Sequence, residues 1–156
     1  MTPNTIKKIL VPVDFSEGVE PAVAQAATMA RTFKASIDLL HVWQPPPLIP
    51  FPVVIVPSAA ESTPINMEEL ARTTAGAQMK ELAARLRDQG VAEVHSRVAI
   101  GSPAHEIVEL AALGHFDLIV MGTHGRTGVL HVMLGSVAEK VVRRAKCPVL
   151  TVRSPH

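Results

Sequence analysis

Short apolar runs alternate with stretches in which apolar residues recur every three or four positions, and the alternation continues along the whole 156-residue chain. The short runs read as buried strands, whereas the wider spacing lays one apolar stripe along a helix. Strands are expected over residues 6 to 13, 35 to 43, 91 to 100, 116 to 121 and 149 to 152. A first helix follows Ser16, with Val19, Val23, Ala26, Ala27 and Ala30 as its stripe. Asn66 is a good N-cap for a second helix, with Glu68 and Glu69 in the first turn. Its stripe runs through Leu70, Met79, Leu82, Ala83 and Leu86, and Gly90 closes it. Ser102-Pro103 supplies a cap and an N1 proline for a third helix, and a fourth is expected from Ser136 to about Lys146. Such alternation predicts a single α/β domain, with a parallel sheet covered by helices on both faces.

Composition narrows the function classes. Fifteen Lys and Arg against 14 Asp and Glu leave a formal charge of +1, so there is no bulk attraction to nucleic acid or to an anionic membrane. Four Phe, one Trp and no Tyr also argue against a platform for stacking single-stranded bases. The single cysteine, Cys147, has no internal disulfide partner. No apolar window approaches the roughly 20 residues that span a bilayer, and the N-terminus lacks the apolar run of a secretory signal. A cytoplasmic location is expected.

Chemistry concentrates after the fourth strand. Gly122-Thr-His-Gly125-Arg-Thr-Gly128 follows an apolar run, and Gly135-Ser136 precedes a helix. Glycines let main-chain N–H groups approach a ligand without a Cβ in the way. Ser136-Val-Ala-Glu139 has the spacing of a capping box. A strand, a glycine-bearing loop and a helix N-terminus together form an anion site, because unpaired N–H donors and the helix dipole both favour phosphate. Pro12-Val13-Asp14 and Ile100-Gly101-Ser102 mark two other strand ends, and ligands of open parallel sheets sit outside such ends. Residues 44 to 66 stand apart: they hold the apolar stretch Val53-Val-Ile-Val56 and seven prolines, a density that rules out a regular helix. This insert is expected to be a partly ordered flap near the site, with an edge strand or a contact to another subunit as alternatives.

With Val11-Pro-Val-Asp14-Phe-Ser16 at the end of the first strand and Gly122-x2-Gly125-x9-Gly135-Ser136 near the C-terminus, the chain resembles the universal stress protein family. The spacing is not a Walker A loop, since no Gly-Lys-Ser/Thr follows, and the dinucleotide fingerprint belongs on the first strand. The resemblance implies a five-stranded sheet in the order 3-2-1-4-5 and the ATP-binding branch, because the other branch lacks these glycines. It implies that Pro12, Val13 and Asp14 line the adenosine end and that Val42 offers backbone to adenine. Met121, Gly122, His124 and Gly125 are then the ribose and phosphate loop, and Gly135, Ser136 and Val137 present backbone N–H groups to the phosphates. It further implies a homodimer through residues 149 to 152, an apolar edge that otherwise invites pairing.

Several residues carry two readings. Asp14 either caps the first helix or accepts from a ribose hydroxyl or a water on Mg²⁺. Arg126 either reaches a terminal phosphate or is a solvated loop charge. Ser136 caps its helix in either case, and a phosphate competes for the same donors. Among seven histidines, only His124 has a motif position, and no spacing supports a metal site or a catalytic triad. The function read from these residues is a regulatory ATP-binding protein with slow or no hydrolysis and an unknown signalling partner. The alternatives are a weak ATPase, a nucleotide-free dimeric interaction module, and a site for AMP or a cyclic nucleotide.

Overall fold

The computed structural model describes residues 5–47, 66–124 and 134–155. Five strands, β1 (Lys8–Pro12), β2 (Ser36–Trp43), β3 (Val94–Ile100), β4 (Leu118–Gly122) and β5 (Val149–Val152), form one sheet in the order β3-β2-β1-β4-β5. Every pairing is parallel. Four helices connect them: α1 (Glu20–Phe33), α2 (Met67–Asp88), α3 (Pro103–Leu113) and α4 (Ser136–Arg144). The strand order and the α/β class are those expected.

Side chains alternate across each strand, so the two sheet faces carry separate cores. Ile9, Val11 and Val13 of β1 and its extension pack with Ile37 and Leu39 beneath α1 and α2. Leu10, Leu40, Ile119 and Met121 pack beneath α3 and α4. The expected α1 stripe is buried in full, including Val19 in the short 3-10 turn that precedes the helix. Pro21 lies within the first two positions of α1, where the missing N–H costs no helical bond.

Helix boundaries follow local chemistry. The Asn66 side chain accepts from the Glu68 and Glu69 amides at 3.1 and 3.3 Å and caps α2. At the other end Gly90 takes φ +91°. Its N–H donates to Arg87 O and that of Val91 to Leu86 O, which closes the last turn in the pattern that favours glycine. Ser102 is the N-cap of α3, with a proline in the first positions, although its hydroxyl makes no cap bond.

Some expectations shift. Leu70 is 51% exposed, and along α2 burial starts only at Ala75. Val91 is buried but belongs to the α2 closure, so β3 begins at Val94. Phe116 lies before β4, buried under the Lys8 ammonium, which sits 4.6 Å from the ring centre. α4 ends at Arg144, where Ala145 turns extended with ψ 141°. The 3-10 turn and α1 follow Ser16 without a cap bond from its side chain. Residues 48–65 of the expected flap lie outside the described residues. We predict that Leu86→Ala destabilises the fold by about 2–5 kcal/mol, whereas Leu70→Ala stays within about 0.5 kcal/mol. Equilibrium urea unfolding checks this, and equal losses would refute the packing assigned to α2.

Candidate functional site

A cleft of about 490 Å³ opens at the carboxyl ends of β1, β2 and β4. This is the sheet position where strand order reverses, and its size falls within the roughly 300–1,000 Å³ of small-molecule sites. Pro12, Val13, Asp14, Val42, Met121, Gly122, His124, Gly135, Ser136 and Val137 all line it. Gly125 and Arg126 lie outside the described residues. Gly101 does not line the cleft; its backbone has φ +149° and the Glu106 carboxylate folds over it. The β3 side contributes Pro103 and Ile107 of α3 instead.

Backbone direction sorts these residues into ligand-ready and committed groups. The Val13 N–H donates to Leu40 O at 2.8 Å, and the Gly101 N–H donates to Trp43 O at 3.1 Å. Leu40 therefore turns its polar backbone toward β1 and Trp43 toward β3. Successive strand residues alternate, so Val42 turns toward the β1 side. The β1–β2 pairing ends at Pro12 and Leu40, which leaves Val42 facing the cleft. The same reasoning applies to β4. Thr123 N–H donates to Val152 O at 3.1 Å, so Gly122 turns its backbone the other way, toward the gap beside β1.

At the head of α4, the first helical bond runs from Glu139 N–H to Gly135 O at 2.9 Å. The amides of Ser136, Val137 and Ala138 precede it and have no acceptor in the helix. None of the described residues supplies one. Gly135 is the N-cap and Ser136 the first helical residue, so the expected capping by the Ser136 hydroxyl does not form. Glu139, the other member of the expected box, pairs with Arg143 one turn on.

Two cleft residues have committed amides: Val13, expected to line the adenosine end, and Gly135, expected to offer its backbone N–H. Val13 accepts from His41 Nδ1 at 2.7 Å as well as donating to Leu40, so only its side chain is left to touch a ligand. The Gly135 amide donates to Thr123 O at 2.7 Å. Gly135 matters for another reason: a Cβ there would lie 2.8 Å from that same carbonyl. Gly122 likewise sits where a Cβ would be 3.1 Å from the Gly18 carbonyl. Neither glycine has a positive φ; each permits close backbone approach.

Asp14 forms a tight local turn. Its Oδ1 accepts from the Ser16 amide at 3.0 Å and the Ser16 hydroxyl at 2.6 Å, an arrangement typical of aspartate after a strand. This replaces the cap read from the sequence. His124 Nδ1 lies 2.8 Å from the Thr123 hydroxyl, while its buried Nε2 has no hydrogen-bond partner among the described residues. Such a buried ring nitrogen favours a ligand or water as partner.

Sequence reasoning missed His41, Thr123, Leu40, Trp43, Gln44 and Ala138, all of which line the cleft. His41 is a polar residue within the apolar run Leu39 to Trp43, which was the available signal, and it is 8% exposed. Among the described residues no Lys or Arg lines the cleft. His105, Glu106 and Glu109 gather on α3 within ligand distance of one another, but their side chains are not part of the cleft.

An open parallel sheet with a polar-edged cleft at its switch point, facing a helix N-terminus, defines a doubly wound α/β fold. The family model described as universal stress protein family matches residues 5–153, and the chain belongs to that family. Universal stress protein MJ0531 of Methanocaldococcus jannaschii is 36% identical over 97% of this chain and 85% of its own length. The solved structure of MJ0577 superposes with a TM-score of 0.75 at 29% identity, covering 97% of this chain and 99% of that one. A universal stress protein solved in complex with cAMP superposes at 0.70 with 24% identity, covering 97% and 99%. Among the described residues no helix is long and apolar enough to cross a membrane.

Cys147 is half-buried, and burial pushes its thiol above the ordinary range, with the Asp117 carboxylate adding to the shift. The thiolate is the reactive form, so we predict slower alkylation by iodoacetamide at pH 8 than for a free cysteine. A rate equal to or above that of the free thiol would contradict the assignment of Cys147 as a packing residue.

Proposed function

We infer that this chain is a regulatory protein that binds ATP in the cleft and hydrolyses it slowly or not at all. The observation that carries the reading is the convergence of unpaired main-chain groups: Val42 and Gly122 from strand ends and the first-turn amides of α4. Val42 is assigned to the base, Asp14 and Gly122 to the ribose, and the amides of Ser136, Val137 and Ala138 to the phosphates. Gly125 and Arg126 join the phosphate end on the strength of their motif positions. Mg²⁺ is assigned to the bound triphosphate, where it would neutralise phosphate charge.

Phosphoryl transfer needs a metal, a positioned nucleophile and charge stabilisation together. Asp14 has one oxygen committed to the Ser16 turn, which suits positioning better than proton abstraction. The nucleotide thus acts as a signal whose occupancy is read elsewhere. A cytoplasmic homodimer that pairs through β5 completes the reading; the half-buried residues of that edge strand suit pairing. A second reading, a monophosphate or cyclic nucleotide, is supported by the relative solved with cAMP.

Ser136→Asp separates binding from folding. An acidic residue in the first turn favours the helix dipole, so thermal stability is predicted to stay level or rise. The same charge opposes phosphate, and ATP affinity by titration calorimetry is predicted to fall at least about tenfold, or about 1.4 kcal/mol. Unchanged ATP affinity would remove the phosphates from this helix end. AMP and cAMP titrated in parallel rank the second reading against the first.

A further inference from the structure

A second depression of about 570 Å³ lies on the opposite face, between the turn after β1 and the C-terminal half of α2. We propose that this groove docks a basic amphipathic helix of a partner protein, and that occupancy of the nucleotide cleft controls the docking. The docking stands on the groove itself; its control rests on the nucleotide reading given above.

The floor is apolar, formed by Phe15, Val19 and Leu82. The rim carries Glu20, Glu81 and Asp88 against a single cation, Arg85. Arg85 is already satisfied, since one of its nitrogens lies 2.9 Å from both carboxylate oxygens of Glu20. Glu81 and Asp88 are exposed and take no cation among the described residues. A groove with an apolar floor and two spare carboxylates is complementary to apolar residues flanked by Lys or Arg.

Spacing selects the conformation of the occupant. Glu81 and Asp88 are seven positions apart on one helix, hence about 10.5 Å along its axis. A partner helix matches this with cations seven positions apart, which share a face and bracket apolar residues between them. An extended chain covers the same distance in about three steps, from residue i to i+3, whose side chains point to opposite sides. A helix can satisfy both carboxylates and the floor together.

The wall between groove and cleft is thin. Val13 and Val19 line both. The Val13 carbonyl accepts from His41, whose ring lies 4.6 Å from that of Phe15 at a tilt of 36°, so a cleft residue and a groove residue are in contact. Phe15 is held in the left-handed region at φ 59°, unusual for a bulky side chain and dependent on its surroundings. A ligand pressing on Asp14, Val13 or His41 acts on the turn that carries the groove floor. Because linkage is reciprocal, the docked helix must change nucleotide affinity by the same factor.

The probe is a fluorescein-labelled, alanine-rich peptide of about 15 residues with lysines seven positions apart and two leucines between them. Its binding to the full chain is followed by anisotropy at physiological salt, with and without saturating ATP, while calorimetry on the same sample records ATP binding. Saturable binding is expected, weakened at least about tenfold by Glu81→Lys with Asp88→Lys and unchanged by Glu109→Lys on α3. ATP is expected to shift peptide affinity by about fivefold or more. A peptide that fails to bind, or that the double reversal leaves unaffected, overturns the docking even where ATP binds normally. Peptide affinity indifferent to bound ATP overturns the control. Absence of ATP binding with intact peptide binding overturns the nucleotide reading and leaves the docking standing. Spermine competing as strongly as the peptide would replace the partner helix with a small polycation and overturn the proposal.

Discussion

Beyond Leu10 and Ile119 the two central strands no longer pair, and Pro12 stands at the edge of the gap. Val13 directs its N–H toward β2, so the preceding residue faces β4, and as proline it has no donor to offer there. The ladder cannot continue, and the sheet opens between β1 and β4. Everything the cleft presents follows from that opening. Gly122, Val42 and the head of α4 face it because their neighbours in the sheet have ended.

The opening is held by backbone contacts that leave no room for side chains. Gly18 and Gly122 approach each other closely, and the Gly135 amide grips the Thr123 carbonyl at 2.7 Å. The glycines of the motif therefore divide their work: Gly122 and Gly135 bring three pieces of main chain into contact, Gly122 keeps its own backbone turned to the gap, and past Gly135 the unpaired donors are those of the first turn of α4. The proposed phosphate end draws on amides and the helix dipole, with Arg126 as its one assigned cation, so its strength depends on how completely water is excluded. On the other side of the rim, His41 and Phe15 tie the cleft wall to the turn before α1.

Most of the architecture was legible in the sequence, because period-2 and period-3.6 patterns are written in single side chains. The Asn66 cap, the Gly90 closure and the α1 stripe are local, and each is found where expected. What escaped is nonlocal. Leu70 fits the stripe of its helix, but it is exposed and the buried part of that stripe begins only at Ala75. Ser136 and Glu139 have the spacing of a capping box, yet Gly135 takes the cap position while donating its own amide to Thr123. His41 and Thr123 enter the cleft because of where neighbouring strands end, which no pattern along one strand reveals. The strand order and the ligand-contacting positions came from family resemblance; the pattern of free and committed backbone groups needed the structure.

Amide chemical shifts of ¹⁵N-labelled protein during titration with ATP test the central claim most directly. The account predicts that the largest perturbations fall on the amides of Ser136, Val137 and Ala138, with Val42 and Gly122 also moving. The Gly135 and Val13 amides, bonded within the protein, should change less. Saturable ATP binding that leaves the first turn of α4 unperturbed would contradict it.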